Sequence, residues 1–156
     1  MEREFSYIAK EEIIRNIVKT HNVVLVLGWC GTGKTASSLK AVKSLWKPYY
    51  FNAPAALSVE DLHQYNSEIT VLDRLDELPE EDSARAVLII DDLDGAAAEV
   101  AAAVKGFISR KGFPGKIIIT AEAQPKLDEV GAVIEAVVRL KDDTAQVLHS
   151  RLRDID

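Results

Sequence analysis

The sequence predicts an α/β sandwich of three layers, built on a five-stranded parallel sheet. Two observations carry this reading. Short, continuously apolar runs rich in β-branched residues alternate along the chain with segments of helical periodicity, the pattern of strands buried on both faces and joined by crossover helices. The chain also has 156 residues, of which 47% are hydrophobic and 28% charged, enough for one core and close to the globular average. A single domain over residues 1–156 is therefore expected, with right-handed crossovers between its strands.

Each element follows in turn. Ile8, Ile13, Ile14, Ile17 and Val18 fall near helical spacing and predict an amphipathic helix over residues 8–18. Residues 23–27, VVLVL, read as the first strand, and after a glycine-rich turn residues 34–46 read as a helix. Tyr49, Tyr50 and Phe51 make a short second strand introduced by Pro48. Ser58 offers an N-cap to residues 59–62. Ile69, Leu72, Leu75 and Leu78 recur every three residues, which favours a helical segment over 68–78 ended by Pro79. Residues 87–90, VLII, are the third strand, residues 96–110 an alanine-rich helix, and residues 116–120, KIIIT, the fourth strand. Residues 137–140 are the fifth strand, and Asp143 can cap a last helix over 144–155, with Val147, Leu148, Leu152 and Ile155 as its apolar stripe.

Composition narrows the function. No run approaches the roughly 18 apolar residues of a membrane span, and the first residues, MEREFSYIAKEE, are charged where a signal peptide would be apolar. A cytoplasmic protein with no membrane partner is the expectation. One cysteine, Cys30, cannot form an internal disulfide, and three scattered histidines lack metal-ligand spacing. The net charge of −6 is unevenly spread: residues 1–47 carry 8 basic and 4 acidic groups, whereas residues 60–94 carry 2 and 12. Such an acidic middle reads first as a solvated face and second as a dock for a basic partner or a neighbouring subunit. Lys105, Arg110, Lys111 and Lys116 form the one cluster suited to DNA, and it too reads first as surface charge.

The chemistry lies in the glycine-rich turn. Gly28, Trp29, Cys30, Gly31, Thr32, Gly33, Lys34 and Thr35 fit G-x-x-x-x-G-K-[ST] in full, between a strand and a helix. The glycines let the backbone approach phosphate and turn its N–H groups inward, and the helix start, through Ala36, adds a partial positive charge. Lys34 supplies a mobile point charge for the β and γ phosphates, and the Thr35 hydroxyl can ligate magnesium. Trp29 and Cys30 occupy variable loop positions. Asp91 and Asp92 end the third strand, where a carboxylate can hold magnesium opposite such a loop; Asp91 is the candidate metal residue. A nucleoside triphosphate with magnesium is thus expected, and because the sequence has no Asn-Lys-x-Asp guanine motif, ATP and Mg2+ are the expected cofactors.

The order of phosphate-binding loop, inserted strand, Asp-Asp strand end and Lys-Ile-Ile-Ile-Thr strand resembles the additional-strand P-loop ATPases, and within them the AAA+ and STAND ATPases. The resemblance implies sheet order 5-1-4-3-2 and makes Thr120 the sensor of the γ phosphate. It likens residues 5–12 to the segment that covers adenine, with Ala9-Lys10 where the family has Gly-Arg. The chain departs from the family at three points. Asp92 stands where AAA+ enzymes place the water-activating glutamate. Thr120 is followed by Ala121 and Glu122 where STAND members carry arginine, and Glu122 is either a substitute base or solvent-facing. The helical lid expected after the fifth strand is absent, one helix alone following it, which suits a minimal core or a fragment. The resulting expectation is a slow magnesium-dependent ATPase acting as a nucleotide-dependent switch on a protein partner or through self-association. A small-molecule P-loop kinase and a nucleotide-bound scaffold without turnover are the competing readings.

Overall fold

The computed structural model describes residues 3–5, 10–29, 32–43, 46–52, 58–79, 85–93, 98–109, 115–122, 134–141 and 145–147. Its elements in chain order are β1 (Arg3–Phe5), α1 (Lys10–Thr20), β2 (Val23–Leu27), α2 (Lys34–Ala41), β3 (Lys47–Asn52), α3 (Val59–His63), β4 (Thr70–Val71), β5 (Ala86–Asp91), α4 (Ala98–Ser109), β6 (Lys116–Ala121), β7 (Ala136–Leu140) and β8 (Ala145–Val147), with one 3-10 turn at Leu75–Glu77. None of the helices among the described residues is long and apolar enough to cross a membrane.

The strands form one mixed, largely parallel sheet in the order β1-β8-β7-β2-β6-β5-β3-β4. Every pairing from β7 to β4 is parallel, and β8 pairs antiparallel with both β7 and β1. The sheet is thus wider than the five parallel strands expected, by β4 at one edge and the antiparallel β8 and β1 at the other. Alternation along the strands sends Leu25 and Leu27 into a core cluster with Val104 and Phe107 of α4, while Val24 and Val26 join Ile13, Ile14 and Val18 of α1, Leu39 of α2 and Leu62 of α3. Helices therefore cover both faces, which is why β2 and β5 can be apolar without interruption.

Individual elements are corrected too. The helix over 144–155 gives way at its start to β8, where Ala145 pairs with Leu140 of β7 and with Phe5 of β1. Ala145 is fully buried and Gln146 nearly so, and pairing with strands on both sides outweighs the weak helical stripe; residues 142–144, with the expected cap Asp143, and 148–156 lie outside the described residues. Residues 68–78 do not form a helix either. Thr70 and Val71 are β-branched and extend the sheet beside Tyr49 and Tyr50, and the Leu72 N–H continues the pairing by donating to the Tyr50 carbonyl at 2.8 Å. A period of three also suits the 3-10 turn that follows, whose entry is capped by Glu77 Oε1 accepting from the amides of Asp73 and Arg74 at 2.9 and 2.8 Å.

Helix α2 is also shorter than the 34–46 expected, ending at Ala41. Its last carbonyls, unsatisfied within the helix, are taken by side chains. Arg15 of α1 donates through Nε to the Ala41 carbonyl at 2.9 Å and through Nη2 to that of Lys40 at 3.1 Å, and the buried Asn66 donates to that of Leu39 at 3.0 Å. The helix whose other end carries the glycine-rich loop is thereby held at its far end by two neighbouring segments. Pro48 falls inside β3 rather than before it, at a position where β4 has not yet begun to pair, so its missing N–H leaves no gap in the ladder.

Candidate functional site

Strand β2 delivers the chain to Gly28 at the carboxyl end of the parallel strands. The Gly28 N–H donates to the Ala121 carbonyl at 3.1 Å, tying the loop to the end of β6. A side chain is excluded here: a Cβ would overlap Thr32 Oγ1 and come within 3.3 Å of both the Leu140 carbonyl and Lys34 Cγ. Thr32 closes the turn, its hydroxyl donating to the Trp29 carbonyl at 2.8 Å and its amide to the same oxygen at 3.2 Å. Gly33 then takes φ 85, the left-handed backbone that glycine adopts without strain, and α2 begins. The first helical bond runs from the Ser37 N–H to the Gly33 carbonyl at 2.8 Å, so the amides of Lys34, Thr35 and Ala36 stand ahead of the ladder. Cys30 and Gly31 lie outside the described residues.

Two ammonium groups border this turn. Lys34 folds back to donate from Nζ to the Gly28 carbonyl at 2.6 Å. Lys10, at the start of α1, donates to the Thr32 carbonyl at 2.8 Å. Trp29 is 78% exposed and, with Glu122, Arg139 and Lys141, rims a cavity of about 470 Å³ floored by Leu27 and Leu140. Glu122 is exposed to solvent at this rim.

Beside the helix start, β5 and β6 bring the remaining residues together. Asp91 is 3% exposed, and a carboxylate buried to that extent is costly unless hydrogen-bonded. Three hydroxyls meet the requirement. Thr35 Oγ1 lies 2.8 Å from both Asp91 oxygens, Tyr50 donates to Oδ2 at 2.6 Å, and Thr120 donates to Oδ1 at 2.6 Å. Thr120, its own proton directed to Asp91, accepts the Asp92 N–H at 2.8 Å. Asp92 is the one described non-glycine residue with positive φ, at 55°, a conformation that aspartate tolerates better than most side chains. Backbone and hydroxyl are thus linked in a chain from Asp92 through Thr120 to Asp91 and on to Thr35.

Of the residues singled out from sequence, Thr35, Asp91, Asp92 and Thr120 converge in this network. Gly28, Thr32, Gly33 and Lys34 form the adjoining turn. Tyr50 was missed. The available signal was chemical: a tyrosine in a strand buried on both faces needs a partner for its hydroxyl, and β3 lies beside β5 with Tyr50 opposite Ile89, two residues before Asp91. Among the described residues, no three His, Cys, Asp or Glu side chains cluster as a self-sufficient metal centre. No protein-family model matches the chain, and comparison with curated proteins returns no match.

Proposed function

We propose that this chain binds ATP with magnesium at the Gly28–Thr35 turn and Asp91, and hydrolyses it slowly as a nucleotide-dependent switch on a partner, in the manner of AAA+ and STAND ATPases. The observation that carries the reading is the meeting of Thr35 with Asp91, residues 56 apart in sequence whose oxygens lie 2.8 Å apart at the start of a helix preceded by a left-handed glycine. A helix start with free amides favours an anion, and Lys34 is adjacent. On binding, its ammonium would exchange the Gly28 carbonyl for phosphate oxygens.

The donor set suits magnesium. That ion takes hard oxygen ligands and keeps several waters, so a carboxylate and a hydroxyl are enough beside phosphate; Asp91 and Thr35 would hold it. Bound there, it would offset charge on the β and γ phosphate oxygens. Tyr50 and Thr120 hold the Asp91 carboxylate by one hydrogen bond to each oxygen, and Thr120, donating to Asp91 and accepting from Asp92, couples the two residues. Asp92 is the group we assign to water activation, and its shorter reach relative to glutamate is the reason for slow turnover. Exposed at the cavity rim, Glu122 is the alternative base.

Calorimetric titration with ATP and magnesium tests the proposal. Wild-type chain should bind one ATP, and Lys34→Ala should lose that binding while keeping its circular dichroism and unfolding midpoint. Equal affinity in both would refute the site.

A further inference from the structure

Away from that site, a groove of about 370 Å³ lies between the 3-10 turn and α4. Its floor is made by Phe51, Leu75 and Phe107. These three are the most exposed members of their core cluster, at 9%, 9% and 7%, where most of the others are at 5% or below. Among the described residues of the cluster, these three buried side chains leave the most surface, and they leave it at the groove. Its rim carries Asp73, Asp76 and Glu99. Arg74, the one cation of the rim among the described residues, is 73% exposed and paired with Asp76 at 2.5 Å, so that among these residues Asp73 and Glu99 leave the rim net negative. An exposed pair of this kind contributes little to stability, so Asp76 too is available to another cation. One wall of the groove, residues 73–76, belongs to the segment 60–94, which carries 12 acidic and 2 basic groups.

We propose that this groove docks a basic, amphipathic segment of another protein, its apolar side chains seated on Phe51, Leu75 and Phe107 and its lysines or arginines facing Asp73, Asp76 and Glu99. Charge complementarity selects the partner: an apolar floor alone would take any hydrophobic side chain, whereas the acidic rim rejects acidic and rewards basic flanks. The mode is that of an amphipathic helix laid in a groove, read through anchors three and four residues apart. The site is independent of the nucleotide assignment. Phe51 faces the groove, and its neighbour Tyr50 faces the other side of β3 toward Asp91.

The probe is a fluorescein-labelled helical peptide of leucine and lysine, with leucines at i, i+3, i+4 and i+7, alongside the same peptide with glutamate for lysine; fluorescence anisotropy reads binding to the full chain. The lysine peptide should bind saturably with one site and the glutamate peptide should not. Asp73→Lys with Glu99→Lys should weaken binding at least tenfold, whereas Glu60→Lys with Glu68→Lys, the same charge change at exposed positions elsewhere, should alter it less than threefold. Ala103→Phe, which fills the groove with no change of charge, should also weaken it at least tenfold. Absence of saturable binding overturns the proposal, as does equal loss in the two charge variants, which would mean diffuse attraction only. Concentration-dependent self-association of the wild-type chain that Glu99→Lys abolishes in sedimentation would assign the groove to a second copy instead.

Discussion

Tyr50→Phe removes one oxygen and leaves the packing of the ring in place. In the native chain that hydroxyl is fully buried and donates to Asp91 Oδ2 at 2.6 Å, so no water can take its place without opening the sheet. Hydrogen bonds to charged groups contribute about 1.5 to 3 kcal/mol. Asp91 Oδ2 keeps the contact with Thr35, and Oδ1 keeps Thr120, which places the cost toward the lower bound, about 1.5 kcal/mol. Urea unfolding should show it as a lowered midpoint with unchanged slope, because the surface exposed on unfolding is the same. A double-mutant cycle with Asp91→Asn separates the bond from the environment. The variants touch, so their effects should not add, and the coupling should be about 1 kcal/mol or more. A stability change below about 0.5 kcal/mol for Tyr50→Phe, or additive effects in the cycle, would refute the picture of a carboxylate held by three hydroxyls.

Other substitutions test other joints of the site. Gly28→Ala should cost about 1 to 3 kcal/mol, as overpacking does, because its Cβ meets Thr32 Oγ1; Gly28→Ala with Thr32→Ala should recover part of that loss in the same unfolding assay. Arg15→Ala should lower stability by about 1 kcal/mol, since the Ala41 carbonyl loses its side-chain donor and the Lys40 carbonyl is left with backbone N–H alone, and hydrogen exchange should accelerate first at the end of α2. At Asp92, whose φ is 55°, Asn should leave stability nearly unchanged and Ala should cost about 1 kcal/mol; single-turnover ATP hydrolysis should then fall in Asp92→Asn and rise in Asp92→Glu if reach limits the rate. Unchanged turnover in Asp92→Asn, Asp92→Glu and Glu122→Gln, with ATP affinity retained, would favour a nucleotide-bound scaffold.

What could be read from sequence was whatever local pattern determines. Residues 23–27 and 86–91 admit little besides buried strands, and Gly33-Lys34-Thr35 must leave such a strand through a tight turn into a helix. Thr35 and Asp91 were legible individually for the same reason. Tyr50 was not, because the partner of a strand hydroxyl depends on which strand lies alongside and in what register, here Asn52 opposite Asp91. Similar dependence on neighbours explains β8 and β4. A segment as short as Ala145–Val147 has too few residues to show alternation, and it becomes a strand because β7 and β1 present edges to it. The spacing of Ile69, Leu72, Leu75 and Leu78 records burial without saying whether helix, strand or 3-10 turn achieves it. The groove beside α4 was visible only as negative charge, since nothing in the local sequence reveals that Phe51 and Phe107 line one groove.

The central claim, that Lys34, Thr35 and Asp91 together hold a metal-bound triphosphate, is tested most directly by electron paramagnetic resonance titration with Mn2+ in place of magnesium. With ATP present, the wild-type chain should take up one Mn2+ per molecule, and without ATP it should take up almost none, because one carboxylate and one hydroxyl make a weak site alone. Lys34→Ala should abolish the ATP-dependent uptake, and Asp91→Asn should weaken it at least tenfold. Uptake that is independent of ATP, or that survives unchanged in both variants, would contradict the account.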